Sequence, residues 1–196
     1  MAVFDSEKTI GGVWADRRVY PGLKTNNLYG TYEFSDFRMD TAVYGVTWGQ
    51  HIPGYVVHQY LKDYAEHFGI TPKIRLETKV LSAEKVKGQG WLLTIARCFN
   101  DHEPLKTSQV LAKKLIAATG MTSDAFLPKF AGSETFGAPI FHIKDFKEHS
   151  GTLESAKSVA VFGSTKSSWD AVYQYASKGI KVEWIIRGSS LLSLSL

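Results

Sequence analysis

The 196-residue sequence predicts an α/β fold, and three segments support that prediction. A short apolar strand, Ala2-Val3-Phe4, opens the chain and ends at the acid Asp5. Apolar residues recur at helical spacing between Tyr55 and Phe68. Further on, a strand, a glycine turn, a helix and a second strand follow one another within ~30 residues, the usual length of a βαβ unit. Strands and helices in this order favour a parallel sheet of the Rossmann type.

The segment from Gly11 to Phe37 shows no sustained period. It is rich in Gly, Asn, Tyr and Pro, so we predict loop and short helix there. A long irregular segment of this kind is usually functional.

The middle of the chain is predicted to be a helix followed by antiparallel strands. The helix runs from Tyr55 to Phe68, and Gly69 supplies its stop signal. Residues 74–86 and 91–97 alternate apolar and polar side chains on either side of Gly88-Gln89-Gly90, which predicts a hairpin. A further strand is predicted from Lys114 to Ala118, ending at Thr119-Gly120.

Composition excludes several classes of protein. The chain is 44% hydrophobic and can bury a core, and its net charge of +4 contains no run of like charges that would mark a nucleic-acid partner. The single cysteine, Cys98, cannot form an intramolecular disulfide, and no Cys/His cluster suggests a metal site. Because no segment approaches the ~20 apolar residues of a membrane span, we expect a soluble cytoplasmic protein. The oligomeric state is left open.

The predicted βαβ unit contains a candidate phosphate site. Its strands are expected at 158–162 and 182–186 and its helix at about 167–177, with Gly163 at the turn. Backbone N–H groups near Gly163, Thr165 and Ser167 could receive a pyrophosphate at the helix N-terminus. The motif is degenerate, since a strict fingerprint has Gly at position 165, and an ordinary turn capped by Ser or Thr is the alternative.

Arg187 favours the phosphate-binding interpretation. It follows the second strand of the unit, where an arginine can pair with a 2′-phosphate and so select NADP over NAD. The alternative is a solvated surface arginine.

A second candidate site lies near the N-terminus. Asp5 at the tip of its strand could bind ribose hydroxyls, although Glu7 competes for that role. The run Gly11-Gly12-Val13-Trp14 would let the backbone approach a cofactor closely. Gly-Gly turns are common, so this signal is weak by itself.

At this point the sequence resembles flavin-containing monooxygenases, in particular fungal enzymes of secondary-metabolite clusters. The segment "FDSEKTIGGVWADRRVYPGLKTNNLYGTYEFSDF" is similar in order and spacing to the loop after the second strand of that family. "LIAATG", with the later Pro128, resembles the strand that closes the flavin domain. Residues 136–146 resemble the linker fingerprint of Phe, Gly, His and a final aromatic residue, with Ala138 in place of a glycine.

The resemblance implies cofactors and residue roles. Asn26 matches an asparagine near the flavin ring, and His142 matches the histidine of the connection between the flavin and NADP domains. The implied reaction is reduction of FAD by NADPH, capture of O2 as a flavin C4a-hydroperoxide, and oxygenation of a small organic molecule such as a polyketide. The partners implied are therefore this small-molecule substrate and O2.

The resemblance also implies a division of the chain. Residues 1–135 correspond to an incomplete FAD-binding domain without its first strand and GxGxxG loop, and residues 136–150 to the linker. Residues 151–190 correspond to an incomplete NADP-binding βαβ unit, and residues 191–196 to an aberrant tail. The chain is thus expected to be a partial two-dinucleotide-binding-domain flavoprotein, truncated at both ends. The alternative is a non-redox remnant that acts as a partner-binding protein or a cofactor-independent isomerase.

Overall fold

The computed structural model describes residues 1–97, 106–121 and 124–186. The chain forms two compact units. Unit 1 contains Met1–Asp16 and the described residues between 26 and 123, and unit 2 contains Arg17–Thr25 and the described residues from Asp124 on. The assignment of chain segments to particular cofactors remains a prediction.

Unit 1 is organised around one long helix and several short sheets. Its helices are α1 (Thr41–Tyr44) and α2 (Gly54–His67). The strands are β1 (Val3–Phe4), β2 (Lys24–Leu28), β3 (His51–Pro53), β4 (Ile74–Arg75), β5 (Thr78–Val86), β6 (Gly90–Arg97) and β7 (Thr107–Ala112), and the first two residues of β2 belong to unit 2. β1 pairs with β4 in parallel, β2 pairs with β3, and β5, β6 and β7 form an antiparallel sheet in that order.

The predicted helix is confirmed as α2, and its termination follows from Gly69. Gly69 has a φ of 60° and donates its N–H to the Glu66 carbonyl, while Ile70 donates to Ala65 at 2.7 Å. These two bonds form a Schellman motif, which satisfies the last helical carbonyls. The apolar face of α2 then packs into the core of unit 1, formed by Met39, Val46, Ile52, Val56, Val57 and Tyr60.

The hairpin is confirmed as β5 and β6, but the segment 74–86 proves to be two strands. β4 pairs with β1, whereas β5 pairs with β6, and the break lies at Glu77, whose φ is 52°. Glu77 and Thr78 donate their N–H groups to the carbonyls of Glu7 and Asp5. The chain therefore changes partners at this point, which the alternation pattern could not reveal.

The strand predicted from Lys114 to Ala118 is wrong. The third strand of the antiparallel sheet is β7, which ends at Ala112, opposite Trp91 of β6. Residues 115–118 have no strand assignment, and the Ile116 side chain is 87% exposed. The apolar run "LIAA" has strand propensity, but a strand needs a hydrogen-bonded neighbour, and within the described residues this run pairs with none.

Unit 2 contains α3 (Thr152–Ser155), β8 (Ser158–Phe162), α4 (Lys166–Ser177) and β9 (Lys181–Ile185). β8 and β9 are parallel and in register from Ser158 opposite Lys181 to Phe162 opposite Ile185. The predicted βαβ unit is therefore confirmed. Its core contains Tyr20, Phe146, Leu153 and Tyr175, and β8 and β9 contribute Val159 and Val182.

Candidate functional site

Asp5 lies at the carboxyl end of β1, as the sequence predicted. Its N–H donates to the Arg75 carbonyl at 3.1 Å, which extends the parallel pairing by one residue. One carboxylate oxygen accepts the Glu7 N–H at 2.9 Å. Since a carboxylate has about four acceptor positions, Asp5 retains capacity for ribose hydroxyls.

The two glycines after β1 form a tight turn that places Trp14. Gly11 has a φ of 121°, and a side chain there would put its Cβ 3.0 Å from the Trp14 carbonyl carbon. Gly12 begins a short 3₁₀ helix, Gly12–Trp14, that returns the chain toward the core. The Trp14 indole N–H donates to the Tyr32 hydroxyl at 2.8 Å, and the two rings meet edge to face. Trp14 thus has a packing role that the sequence did not suggest.

Asn26 lies on a strand. The sequence predicted loop and short helix throughout the segment 11–37. The structure corrects this, because residues 24–28 form β2, which pairs with β3. Asn26 is exposed, whereas its neighbour Thr25 is the one buried residue of β2, so the Asn26 amide lies on the accessible side of the strand.

In unit 2, residues 163–165 join β8 to α4 and are called the Gly163 turn. Gly163 has a φ of 130°, a conformation that side chains rarely adopt, and its N–H continues the parallel pairing to the Ile185 carbonyl at 3.0 Å. Thr165 caps α4 but makes no side-chain cap hydrogen bond. Ser168, near which a strict fingerprint has Gly or Ala, is buried and donates its hydroxyl to the Thr165 carbonyl at 2.6 Å.

Trp184 fixes the position of the Gly163 turn. Its indole N–H donates to the Gly163 carbonyl at 2.7 Å, and its ring packs edge to face against Trp169 of α4. This hydrogen bond directs the Gly163 carbonyl toward Trp184 of β9. The sequence prediction did not include Trp184, because nothing local links it to a turn 21 residues earlier.

Three side chains of unit 2 form a polar cluster beside the turn, which we call the Lys166 cluster: Lys166, Asp170 and Tyr20. The Tyr20 hydroxyl donates to one Asp170 oxygen at 2.5 Å, and the Lys166 ammonium contacts the same oxygen. Burial raises the pKa of Tyr20 well above its usual range, and the Asp170 carboxylate raises it further. The phenol is therefore a permanent donor at neutral pH.

Ser167, which the sequence placed among the phosphate ligands, also belongs to this region. Its hydroxyl hydrogen-bonds with Tyr20, which opposes the rise in the Tyr20 pKa. The spacing of Lys166 and Asp170 by four residues is a signal that the sequence does carry. Tyr20 carries no such signal, because it lies in the irregular segment.

His142 caps the short 3₁₀ helix Ile143–Asp145. Its Nδ1 accepts the Lys144 N–H at 3.1 Å. Since that nitrogen is the acceptor, the neutral imidazole carries its proton on Nε2 and presents it as a donor. Phe146, the final aromatic residue of the linker pattern, is fully buried against Tyr20 and Tyr175.

The predicted site residues fall into two groups, each within one unit. Unit 1 holds Asp5, Gly11, Gly12, Trp14 and Asn26. Unit 2 holds His142, Gly163, Thr165 and Ser167. Arg187 lies outside the described residues, as do Cys98 and the tail at 191–196.

The described ranges contain no group of three or more His, Cys, Asp or Glu side chains that could hold a metal ion. Among the helices of these ranges, none has the length and apolar character needed to cross a membrane.

The residues of unit 2 fit a dinucleotide phosphate. The Gly163 turn has the backbone that close approach requires, α4 directs its N-terminal N–H groups at the turn, and a cation, Lys166, stands next to it. Unit 1 fits part of FAD, because Asp5 can bind a ribose and Gly11 keeps a side chain out of the adjacent turn. Within the described residues, the one glycine turn leading from a strand of a parallel pair into an α-helix is that at Gly163, since the glycines after β1 lead into a short 3₁₀ helix.

Comparison with known proteins gives a consistent result. Residues 2–192 match the sequence profile of a protein family described as flavin-binding monooxygenase-like. An FAD-dependent monooxygenase from Pyrenophora dematioidea is 36% identical over 198 residues, which covers 95% of this chain and 34% of the relative. The FAD-dependent monooxygenase resA from Aspergillus sclerotiorum is also 36% identical, over 94% of this chain and 32% of the relative. The chain thus spans about one third of the length of these relatives.

A solved structure shares the fold. A mutant cyclohexanone monooxygenase from Rhodococcus sp. Phi1, bound to NADP+, superposes with a TM-score of 0.72 over 95% of this chain and 33% of that one. The sequence identity is 23%, so the likeness establishes the α/β fold alone.

Proposed function

The chain belongs to the flavin-binding monooxygenase-like family, and from that premise we propose that it serves in FAD- and NADPH-dependent oxygenation of a small organic molecule by O2. The observation that carries the proposal is the β8–Gly163–α4–β9 unit, within a chain whose family match runs through it. The activity is proposed for an enzyme of the relatives' full length. A substrate from secondary metabolism is part of the proposal, because the relatives that this chain resembles include fungal FAD-dependent monooxygenases.

When bound, FAD supplies the redox chemistry, taking electrons from NADPH and activating O2 for transfer of one oxygen atom to the substrate. The protein supplies binding, orientation and exclusion of water. In unit 1, Asp5 would accept hydrogen bonds from a ribose, and the backbone at Gly11 and Gly12 would lie beside the cofactor. Asn26, on the accessible face of β2, would offer its amide to the cofactors.

In unit 2 the Gly163 turn would hold the pyrophosphate of NADPH. The positive end of the α4 dipole stabilises negative charge there, and the amides near Thr165 and Ser167 are the donors. Arg187 would bind the 2′-phosphate and so favour NADPH over NADH.

His142 would act as a hydrogen-bond donor in this scheme. Because the Lys144 N–H occupies Nδ1, the proton on Nε2 is the one that His142 can offer to a cofactor or substrate. The buried Phe146, four residues later, fixes the segment that carries the imidazole.

Titration of the purified chain with NADP+ in a calorimeter tests the dinucleotide site. We expect saturable binding that Gly163→Ala abolishes, because the new side chain is strained at a φ of 130°. Gly151→Ala is the matched control, since Gly151 also lies in unit 2, begins a helix and has an ordinary φ of −57° with open space around it. Absence of saturable binding to the wild-type chain contradicts the proposal.

A second titration tests FAD. Because the described part of unit 1 supplies an acid for the ribose but no glycine turn from a strand into an α-helix, we expect this chain to bind FAD weakly or not at all. A flavin absorption spectrum that survives gel filtration at stoichiometric occupancy would overturn that expectation.

A further inference from the structure

Lys166 occupies a position where a cation is electrostatically unfavourable. It is the first residue of α4, at the positive end of the helix dipole, and that first turn contains no acidic residue. Thr165 leaves the helix without a side-chain cap. An anion bound at the Gly163 turn would remove this conflict, because it would interact favourably with both the dipole and the ammonium.

The ammonium of Lys166 is bonded away from the turn. Its Nζ donates to the Asp170 carboxylate one helical turn further along and to the Lys24 carbonyl at 2.7 Å. These contacts use two of its three donors. The side chain is 34% exposed, so it can change partners without opening the core.

Asp170 can lose Lys166 without being left unpaired. The carboxylate oxygen that contacts Lys166 also accepts the Tyr20 hydroxyl at 2.5 Å. Partly exposed ion pairs are weak, whereas a pyrophosphate offers a higher charge and more acceptors. The Lys166 ammonium therefore gains free energy when it leaves Asp170 and contacts a bound pyrophosphate.

We propose that Lys166 binds the pyrophosphate of the dinucleotide, and that Asp170 holds the Lys166 ammonium while no dinucleotide is bound. The inference rests on the proposed dinucleotide site at the Gly163 turn. In this arrangement Asp170 lowers the affinity for dinucleotides, because the Lys166–Asp170 contact must break when a dinucleotide binds.

A double-mutant cycle on the full chain tests the exchange, with NADP+, NAD+ and inorganic pyrophosphate as probes in a calorimeter. We expect Lys166→Met to weaken binding of all three about tenfold, the effect of one hydrogen bond to a charged group. Asp170→Asn should strengthen binding about threefold or more, since the amide oxygen still accepts from Tyr20 while the charge is gone. This gain should disappear in the Lys166→Met background.

Controls separate the proposal from general charge effects. Lys178→Met removes an exposed lysine at the opposite end of the same helix and should leave binding unchanged, and Lys166→Arg should restore most of the affinity that Lys166→Met loses. Far-UV circular dichroism verifies folding. If Asp170→Asn does not fold, Lys166→Met, which keeps the Tyr20–Asp170 bond, still decides whether Lys166 binds the pyrophosphate.

Three results would overturn the inference. Unchanged affinity in Lys166→Met removes Lys166 from the site, and a loss confined to NADP+ assigns it to the 2′-phosphate instead. A gain from Asp170→Asn that is equally large in both backgrounds excludes the holding role. If the wild-type chain binds none of the probes, the proposed dinucleotide site itself fails and the inference with it.

Discussion

The Tyr20 hydroxyl donates a 2.5 Å hydrogen bond to the Asp170 carboxylate, 150 residues further along the chain. This bond ties the segment Arg17–Thr25 to the helix of the βαβ unit within unit 2. Phe146 packs on the Tyr20 ring, with ring centroids 5.5 Å apart. Tyr20 is therefore held both by the hydrogen bond of its hydroxyl and by the packing of its ring.

Tyr20→Phe should lower the free energy of unfolding by about 1–3 kcal/mol, because the Asp170 carboxylate loses a buried donor while the ring packing remains. Urea unfolding followed by circular dichroism measures the change. Tyr173→Phe on α4 is the control, since Tyr173 is 69% exposed, and it should shift the midpoint little. Equal shifts for the two variants would show that the Tyr20 hydroxyl contributes no more than an exposed one.

Stability should fall as the pH rises above about 10, the ordinary pKa of tyrosine. Burial and then Asp170 raise the pKa of Tyr20 in the folded chain. Between the two pKa values the unfolded chain has lost the phenol proton and the folded chain retains it, so stability declines by up to about 1.4 kcal/mol per pH unit for this residue. When the free energy of unfolding is measured with urea between pH 8 and pH 11, it should fall less steeply with pH in Tyr20→Phe than in the wild-type chain. An identical slope in the variant would exclude Tyr20 as the titrating group.

Tyr60→Phe should destabilise unit 1 by about 2–3 kcal/mol. The Tyr60 hydroxyl donates to the Phe37 carbonyl at 2.5 Å and accepts the Phe34 N–H at 2.7 Å, so its removal leaves two backbone groups without partners. Tyr55→Phe, on the same helix but 68% exposed, is the matched control. Hydrogen exchange should show increased opening at Phe34 in the first variant and no change in the second.

Gly11→Ala should cost more stability than Gly12→Ala. At Gly11 a Cβ would lie 3.0 Å from the Trp14 backbone and φ is 121°, whereas Gly12 has a φ of 58° and open space around it. We expect about 2 kcal/mol or more for the first and about 1 kcal/mol for the second. Thermal unfolding compares them, and a larger effect at Gly12 would contradict the described turn.

His142→Asn and His142→Ala separate the capping role of His142 from its proposed role toward the cofactor. The Asn oxygen can accept the Lys144 N–H in place of Nδ1, so stability should be kept, whereas Ala should cost about 1 kcal/mol. Both variants should weaken NADP+ binding if the imidazole Nε2–H contacts it. Thermal unfolding and calorimetry provide the two measurements, and full NADP+ affinity in His142→Asn would remove the imidazole from the site.

Local signals sufficed for most of the regular structure. The helical period and Gly69 located α2, and alternation around Gly88 and Gly90 located the hairpin. The order of strand, glycine, helix and strand located β8, α4 and β9. These elements are set by neighbours a few residues away, which is the range over which sequence periodicity operates.

The failures have a common cause. The run "LIAA" at 115–118 has strand propensity but pairs with no strand in the described part of the chain, while β2 forms inside a segment rich in turn residues because β3 pairs with it. Propensity describes the secondary structure that a segment favours, whereas pairing with strands distant along the chain decides the secondary structure that it forms.

The sequence by itself determined the family, the βαβ unit and the position of the Gly163 turn, because residue order and local spacing are sufficient to specify them. Only the tertiary structure showed that Trp184 fixes that turn and that Tyr20 and Lys166 share one oxygen of Asp170. Hydrogen bonds between residues distant along the chain depend on side-chain directions that packing sets, and no local pattern in a single sequence encodes them.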